Sequence, residues 1–252
     1  MIRFFAAPQD IDTLAGSIKL SAEDREHIRV LRLRPDEQFI VCDGYGIDYT
    51  CKLGQHNDNA TAEIITHSKS RGEPTVKCSV FIAFQKGDRL DYAVQKSVEL
   101  GVYEIILFES ERCIAVPRDL QKKTARLQRI AFETAKLSGR GRIPSVTCGG
   151  KFKDIVITAG RLMLPLFFYE SEDNLHIKDV LERHFASPTA IEGFEQGSVS
   201  VITGPEGGFE PHETELARTE CFNIVSLGPR ILRSETAPAA ALAVIMYQSG
   251  NF

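Results

Sequence analysis

The sequence predicts an α/β protein in which a small β-rich domain precedes a larger domain built on a parallel sheet. About the first 70 residues contain short runs rich in β-branched and aromatic residues, separated by Gly, Asn and Asp turn signals. After residue 75, near-continuous apolar runs alternate with helical patterns, as in parallel sheets covered on both faces. The polar segment SKSRGEPT, residues 68–75, separates the two patterns, and we place domains at 1–71 and 72–252.

In the first domain, three segments are expected to be strands of a small barrel. They are EQFIVCDG, IDYTCKLG and NATAEIITHS, residues 37–44, 47–54 and 59–68. One amphipathic helix is expected to begin at Ser21, whose hydroxyl can cap it. Asp24 stands at the capping-box position, where Glu is more usual.

In the second domain, strands and helices alternate, which predicts right-handed crossovers and a parallel sheet. The expected strands are VKCSVFIAF and VYEIILFES (residues 76–84 and 102–110), followed by residues 161–169, 199–203 and 223–227. The expected helices are residues 88–100, which Gly101 terminates, residues 126–140, and the apolar C-terminal segment 236–248. Pro238 falls in the first turn of that last helix, where its missing N–H is tolerated.

Composition excludes several classes of protein. The chain is 43% hydrophobic and 25% charged, and none of its apolar runs reaches the ~18 to 20 residues needed to cross a bilayer. The start, MIRFFAAPQD, lacks the apolar stretch and cleavage site of a signal peptide, so we expect a cytoplasmic protein. Six cysteines are scattered without a CxxC pair or zinc spacing, which favours free thiols and no metal.

Charge is distributed unevenly along the chain, whose net charge is −4. Residues 112–142 contain nine Lys or Arg against two acidic residues, a local charge of +7. Residues 167–220 contain three basic against twelve acidic residues, a local charge of −9. A local basic field indicates a polyanion partner better than the total charge does.

Two glycine-rich loops follow predicted strands, at the position where open parallel sheets bind ligands. They are ITGPEGGFEPHE (202–213) and SLGPRILRSETAP (226–238), which hold Gly204, Gly207, Gly208 and Gly228. Glycine lets the backbone approach a ligand closely, although the same glycines are also compatible with simple chain turns. The spacing fits neither a dinucleotide fingerprint nor a P-loop, and the acidic surroundings favour an uncharged or cationic ligand.

Several blocks carry a resemblance to a known family. VITGPEGGFEPHE, LGPRILRSETA, QKSVELGVYEII and RLQRIAFETAKLSGRGRIPSV, with the N-terminal RFF and HIRVLRLRPDE, resemble the RsmE-type 16S ribosomal RNA uridine N3-methyltransferase family of the SPOUT class. The resemblance covers nearly the whole chain. It implies a PUA-like N-terminal barrel that binds RNA and a SPOUT-type α/β domain with a deep C-terminal trefoil knot, although physical rules alone disfavour knots.

The resemblance also implies S-adenosyl-L-methionine as methyl donor, bound in the cleft of the knotted loops. The family's cofactor positions fall on Gly204, Pro205, Glu206, Gly207, Gly208, Leu227, Gly228, Ile231, Leu232 and Arg233, with a third wall at Phe168, Tyr169 and Glu170. Acidic surroundings are compatible with the cofactor's sulfonium.

Transfer to uridine N3 requires alignment of the reactants and loss or polarisation of the N3 proton. Arg233 is the first catalytic candidate, because a cation beside O2 or O4 would stabilise the developing anion. Glu235 or Glu206 is the candidate base or the group that orients it. An ion pair of Arg233 with either carboxylate, which would brace the loop, is an equally weighted alternative.

RNA contacts are expected from the basic helix and from the N-terminal domain. In residues 122–140, Leu127, Ile130, Thr134 and Leu137 share one helix face and basic residues share another. The candidates for phosphate contact are Lys122, Arg126, Arg129, Arg140 and Arg142, with Arg3, Arg32 and Arg34. The family usually has Gln where Leu137 stands, so a polar role there is not expected.

The expected partners are 16S ribosomal RNA of the small ribosomal subunit and a second copy of the chain, paired through the knotted domain. Two alternatives stay open at this point. One is a ribose 2′-O-methyltransferase of the same class, and the other is an RNA-binding factor without catalysis.

Overall fold

The computed structural model describes residues 2–54, 61–172, 175–187, 191, 194 and 196–252. The chain divides into two compact units, Met1–Glu73 with Ala135–Ile143, and Pro74–Thr134 with Pro144–Phe252. The first division lies close to the boundary that the polar segment 68–75 suggested. The return of residues 135–143 to the first unit was not anticipated, and its cause is a set of buried contacts described below.

The described residues of the first unit form one six-stranded sheet and one α-helix. The strands are β1 (Arg3–Phe5), β2 (Ile11–Asp12), β3 (Ser17–Lys19), β4 (Phe39–Cys42), β5 (Ile47–Leu53) and β6 (Thr61–Lys69), in the order β1-β4-β5-β6-β3-β2, and the helix is α1 (Ala22–Leu31). The three expected strands are confirmed, except that residues 59 and 60 lie outside the described part. The predicted cap is also confirmed, since Ser21 Oγ accepts the Asp24 N–H at 3.0 Å.

Two arginines tie the returning segment into the first unit: Arg140 through its ion pair with Glu73, and Arg3 through a hydrogen bond from its Nη1 to the Arg140 carbonyl at 3.4 Å. Arg140 is 2% exposed and donates to both carboxylate oxygens of Glu73, at 2.9 and 2.8 Å. The same carboxylate accepts the Gly141 N–H at 2.9 Å. Arg3 binds Asp48 in the same bidentate way, at 2.7 and 2.9 Å. Paired, geometrically matched charges of this kind are tolerated in an interior, whereas either partner alone would be costly.

The described residues of the second unit form a six-stranded, fully parallel sheet with helices. The strands are β7 (Lys77–Ala83), β8 (Glu104–Glu109), β9 (Ser145–Lys151), β10 (Leu164–Phe168), β11 (Ser198–Thr203) and β12 (Asn223–Val225), in the order β12-β10-β11-β7-β8-β9. The helices are α2 (Arg89–Glu99), α3 (Leu120–Leu137), α4 (Phe152–Ala159), α5 (Ile177–Phe185), α6 (Pro211–Thr219) and α7 (Ala237–Gln248). The last residues of α3 belong to the first unit.

The parallel architecture and its central strands are confirmed. β10 and β11 are buried along their whole length, as their apolar sequences predict for strands covered on both faces. Gly101 adopts φ +91° just after α2, so its predicted role at the helix end is confirmed. Leu137 departs from expectation: it is 87% exposed at the end of α3, whereas Leu127 on the same face is fully buried.

The sheet order brings the predicted ligand loops together. β10 lies between β12 and β11, so the chain segments after all three strands leave the same edge of the sheet side by side. β7 lies next to β11, and α2 begins shortly after β7 at that edge. Among the described residues, the structure has no helix long and apolar enough to cross a membrane.

Candidate functional site

A cavity of about 1030 Å³ lies where β10, β11 and β12 end. All the residues predicted for cofactor binding and catalysis line it, namely Phe168, Tyr169, Glu170, Gly204, Pro205, Glu206, Gly207, Gly208, Leu227, Gly228, Ile231, Leu232, Arg233 and Glu235. Sequence reasoning missed other lining residues, among them Arg89, His176 and Arg230. Arg89 was detectable, because it opens the helix after β7 and β7 ends at the same sheet edge.

The first glycine loop, residues 204–210, is anchored by a buried aromatic ring. Phe209 is 2% exposed, and its ring centroid lies 4.4 Å from that of Phe167 and 5.6 Å from that of Phe152. A Cβ on Gly204 would lie 2.9 Å from this ring. Glycine at 204 is therefore required by packing inside the protein and not by a turn.

The far end of this loop is fixed where α6 begins. Glu210 caps the helix, and its N–H donates to Glu213 Oε2 at 2.9 Å in a reciprocal capping box. Glu213 is 2% exposed and also accepts the Ser110 hydroxyl at 3.1 Å and the Glu111 N–H at 3.2 Å. The acidic run after the glycines thus serves as a helix start bonded to the segment after β8.

Arg112 clamps the same loop from outside. Its Nε donates to Glu210 Oε1 at 2.7 Å and its Nη1 donates to the Gly207 carbonyl at 3.0 Å. The hydrogen bond with Glu210 raises the pKa of Arg112 and lowers the pKa of Glu210 below its ordinary value. Both groups stay charged at neutral pH, so the clamp persists there.

The two glycines with positive φ meet different surroundings. Gly208 has φ +69°, and an added Cβ would lie 2.3 Å from Glu170 Oε1. Gly228 has φ +94°, and an added Cβ would meet no described atom within 4 Å. Gly228 is therefore selected by backbone conformation alone, and it leaves space on the cavity side of the second loop.

Glu206 is held as an ionised carboxylate. Its Oε1 accepts the Lys86 N–H at 2.8 Å and Arg89 Nη1 at 2.6 Å. Burial raises the pKa of Glu206, but these hydrogen bonds and the Arg89 charge outweigh burial, so the pKa lies below its ordinary value of 4.5. Its Oε2 is buried without a hydrogen-bond partner among the described residues.

Arg233 and Glu235 occupy the second loop and differ in exposure. The Arg233 side chain is 83% exposed, whereas that of Glu235 is 14% exposed. Their closest charged atoms, Arg233 Nη1 and Glu235 Oε1, are 4.0 Å apart, at the limit of an ion pair. The loop backbone between them is fixed by Gln85, whose Nε2 donates to the Ser234 carbonyl at 3.0 Å. The carboxylate is thus positioned by the fold, and the guanidinium is left accessible.

The candidate RNA-contacting residues separate into exposed and interior groups. Lys122, Arg126 and Arg129 are exposed on α3, and Arg32 and Arg34 are exposed after α1. Arg126 forms a hydrogen-bonded ion pair with Asp91. Arg142 is half-buried and donates to the Tyr45 carbonyl at 2.9 Å.

The placement of Arg3 and Arg140 does not favour a phosphate contact. The Arg140 side chain is 3% exposed and binds Glu73, and the Arg3 side chain is 12% exposed and binds Asp48. Their charges hold the fold together in this structure.

Comparisons with known proteins agree with this arrangement. The chain matches the RNA methyltransferase domain family over residues 72–246 and the RNA methyltransferase PUA domain over residues 20–65. Ribosomal RNA small subunit methyltransferase E of Mesomycoplasma hyopneumoniae is 33% identical over 213 residues, 84% of this chain and 86% of the relative. The enzyme of the same name from Bacillus subtilis is 29% identical over 241 residues, covering 93% and 91%.

A solved structure extends the comparison to three dimensions. The crystal structure of a ribosomal RNA small subunit methyltransferase E from Neisseria gonorrhoeae bound to S-adenosyl methionine superposes with a TM-score of 0.81 at 31% identity, covering 98% of this chain and 97% of that one. The PUA-like first unit and the parallel-sheet second unit are both matched. The chain belongs to the ribosomal RNA small subunit methyltransferase E family, within the SPOUT class of RNA methyltransferases.

Proposed function

We propose that this chain transfers a methyl group from S-adenosylmethionine to N3 of one uridine in 16S ribosomal RNA of the small ribosomal subunit. The observation that carries the proposal is the cavity at the ends of β10, β11 and β12, with its two glycine loops. A relative that is 31% identical over nearly its whole length is bound to S-adenosyl methionine.

The cavity fits the cofactor in size and chemistry. Its volume of about 1030 Å³ is at the upper end of the roughly 300–1,000 Å³ typical of small-molecule pockets. The backbone of residues 204–208 and 227–228 offers donors and acceptors, and Glu206 Oε2 is an acceptor that the described residues do not use. Glu170, Glu172, Glu206 and Glu235 line the cavity and favour a cationic centre. When bound, S-adenosylmethionine supplies a methyl group activated by its sulfonium.

The acceptor side is assigned to the second glycine loop. Arg233 is exposed, so it is available to stabilise negative charge on a uracil oxygen as the N3 proton leaves. Glu235 is the better candidate for the base, because Glu206 has a lowered pKa and both Arg89 and the Lys86 N–H occupy its Oε1. We assign Glu206 to bracing the first loop instead.

RNA binding is assigned to exposed basic residues in both units. Lys122, Arg126 and Arg129 supply the α3 contacts, and Arg32 and Arg34 supply those of the PUA-like unit. Arg142 is retained as an RNA contact, although one of its guanidinium N–H groups donates to the Tyr45 carbonyl. Arg3 and Arg140 are left out because their guanidinium groups bind the carboxylates of Asp48 and Glu73.

Three further properties belong to the same proposal. The second unit forms a deep trefoil knot through the loops that wall the cavity. Two copies pair through this unit, and α7 supplies part of the contact, since its exposed Val244 and Tyr247 are apolar or aromatic residues facing solvent. The protein acts in the cytoplasm, where ribosomal subunits are assembled.

One experiment separates this function from its rivals. Ribosomal RNA from cells with and without the protein is digested to nucleosides, and the modified nucleoside is identified and mapped by mass spectrometry. We expect 3-methyluridine at one position of 16S ribosomal RNA, present only with the protein. A ribose-methylated nucleoside instead would establish the 2′-O activity. No change in methylation, with no heat of cofactor binding by calorimetry, would establish a non-catalytic RNA-binding factor.

A further inference from the structure

A second, smaller cavity adjoins the first and has no role in the function proposed so far. It has a volume of about 520 Å³ and is lined by Lys86, Gly87, Asp88, Arg89, Tyr92, Arg233, Glu235 and Thr236. Arg89, Arg233 and Glu235 also line the larger cavity. The side chains that the transfer chemistry requires therefore border both cavities.

The smaller cavity has one aromatic wall. Tyr92, in the first turn of α2, is 46% exposed and lines this cavity. Lys96 Nζ lies 5.9 Å from the centre of the Tyr92 ring. An accessible aromatic ring at a cavity mouth is the surface on which proteins stack nucleobases, and stacking is tolerant of base identity.

The charged side chains supply the discrimination that stacking lacks. Glu235 is flanked by two guanidinium groups: Arg89 Nε lies 3.8 Å from Glu235 Oε2, and Arg233 Nη1 lies 4.0 Å from Glu235 Oε1. The wall thus presents donor, acceptor and donor in sequence. The pairing edge of uracil presents O4, N3–H and O2, which is acceptor, donor and acceptor. Cytosine presents a donor at N4 and acceptors at N3 and O2. Its N4 donor would face the Arg89 donor and its N3 acceptor would face the Glu235 acceptor, so both pairs would repel.

Arg89 has the capacity for this second role. A guanidinium carries five N–H donors, of which the hydrogen bond to Glu206 uses one. The same hydrogen bond fixes the plane of the group, so little side-chain entropy is lost when a further acceptor binds. Arg89 would then both brace the cofactor loop and contact the acceptor base, which would fix the position of the base relative to the cofactor.

We propose that the smaller cavity is the acceptor-base site, in which Tyr92 stacks on the target uracil while Arg89, Glu235 and Arg233 read its O4, N3–H and O2 edge. This proposal rests on the methyltransferase function above and adds Tyr92 and Arg89 as specificity residues. It also predicts that the N3 proton points at the Glu235 carboxylate.

The first test compares two substitutions of the aromatic residue in the full-length protein. Tyr92→Phe keeps the ring, and Tyr92→Leu keeps apolar bulk without it. Methyl transfer is measured against the concentration of small ribosomal subunits isolated from cells lacking the protein. We expect Tyr92→Leu to raise KM for subunits on the order of 10- to 100-fold, while Tyr92→Phe stays near the wild type. The Kd for S-adenosylmethionine, measured by calorimetry, should be unchanged in both.

Two results would overturn the assignment of Tyr92. One is an unchanged KM in Tyr92→Leu. The other is a raised KM that accompanies loss of the dimer in light scattering, since Tyr92 would then serve subunit contact. Absence of methyl transfer in the wild type itself would instead reject the underlying function, so the two failures are distinguishable.

The second test addresses the edge contacts. RNA in which the mapped target uridine is replaced by cytidine is used as an inhibitor beside unmodified uridine RNA, and the ratio of their inhibition constants is measured. The wild type should prefer uridine, and Arg89→Gln should reduce that preference on the order of 10-fold. If Arg89→Gln only loosened the cofactor loop, it would weaken the binding of both RNAs equally and leave the ratio of their inhibition constants unchanged. That outcome would reject base reading by Arg89.

Discussion

Gly204→Ala tests how the cofactor loop is held. On the backbone geometry of Gly204, an alanine Cβ would lie 2.9, 3.1 and 3.3 Å from Cε2, Cδ2 and Cζ of Phe209. Comfortable carbon contacts are about 3.5–4.0 Å, so the ring or the loop must shift by several tenths of an ångström. The ring has little room to retreat, because it is 2% exposed and packs 4.4 Å from Phe167.

The expected cost is that of overpacking a closely packed site, about 1–3 kcal/mol. Backbone strain does not add to it, since Gly204 lies outside the positive-φ region. If the core yields, the free energy of unfolding falls by this amount. If the loop yields and must be restored on binding, the Kd for S-adenosylmethionine rises by about 5- to 150-fold for the same energy. We expect the two losses together to account for the total.

The assay combines urea unfolding with cofactor calorimetry in a double-mutant cycle. Phe209→Leu removes Cε2 and Cζ, two of the three ring atoms that the new Cβ would touch. The pair Gly204→Ala and Phe209→Leu should therefore be less damaging than the sum of the single substitutions, with a coupling of about 0.5–3 kcal/mol. Gly228→Ala is the matched control: its Cβ enters open space, its cost is the ~1–2 kcal/mol of a left-handed residue, and it should be additive with Phe209→Leu.

Packing of Phe209 against position 204 is refuted if Gly204→Ala changes neither the unfolding midpoint nor the Kd. It is also refuted if the effect of Gly204→Ala is additive with that of Phe209→Leu, because the ring would then not be what excludes a side chain at 204.

Three further predictions follow from the charges. Arg233→Ala should lower turnover on the order of 100-fold with little change in cofactor Kd, and equal turnover at saturating cofactor and RNA would exclude its catalytic role. Glu206 has a folded-state pKa below 4.5, so the ionised carboxylate should add about 1–2 kcal/mol to the free energy of unfolding at any pH above 4.5. This contribution should disappear as the pH falls through the lowered pKa. The difference in free energy of unfolding between wild type and Glu206→Gln measures it at each pH, and a difference that persists at lower pH contradicts the prediction. RNA affinity should fall steeply with salt concentration. Arg129→Ala should reduce the slope of log affinity against log salt by about 1, and the exposed control Lys178→Ala should leave that slope unchanged. An affinity insensitive to salt would contradict RNA binding by the exposed basic residues of α3.

Much of the fold was predictable because its central elements carry strong local signals. β7, β8 and β10 are near-continuous apolar runs, and Gly101 and Pro238 mark helix ends for reasons of backbone conformation. The missed elements carry weaker signals. β9 is an edge strand whose sequence, SVTCGGK, is mostly exposed and contains two glycines, so it has no clear hydrophobic period. α4 does bury Phe152, Ile155, Val156 and Ala159 at helical spacing, but with only 8 residues the pattern covers little more than two turns.

The basic segment illustrates a limit of counting charge along the chain. The local charge of +7 in residues 112–142 overstates the free basic surface, because described partners from elsewhere in the sequence neutralise part of it. The pairs are Arg112 with Glu210, Lys123 and Arg126 with Asp91, Lys136 with Asp24, and Arg140 with Glu73. None of these acidic partners lies in the window. A window can locate a basic segment, but only the fold decides which charges stay exposed.

The candidate site shows the same division. Its glycine loops were found from sequence, since loops after parallel strands have an expected place. Arg89 could have been placed at the site from its position after β7, but its contact with Glu206, 117 positions away, has no local sequence signal. The sequence also could not show why each glycine is needed. A side chain at position 204 would collide with the Phe209 ring, whereas a Cβ at position 228 would meet no neighbour among the described residues.

The exposure of Arg233 bears on how it would act. A mobile arginine loses side-chain entropy of up to about 2 kcal/mol when it is fixed against a ligand. A hydrogen bond to a neutral carbonyl returns about 0.5–1.5 kcal/mol, which does not offset that loss, whereas a bond to a charged oxygen returns about 1.5–3 kcal/mol. Because the side chain is 83% exposed and only weakly paired with Glu235, its contact with the uracil oxygen would strengthen most as charge develops on that oxygen. Such a group stabilises the transition state more than the bound substrate, which is the condition for raising turnover instead of merely tightening binding.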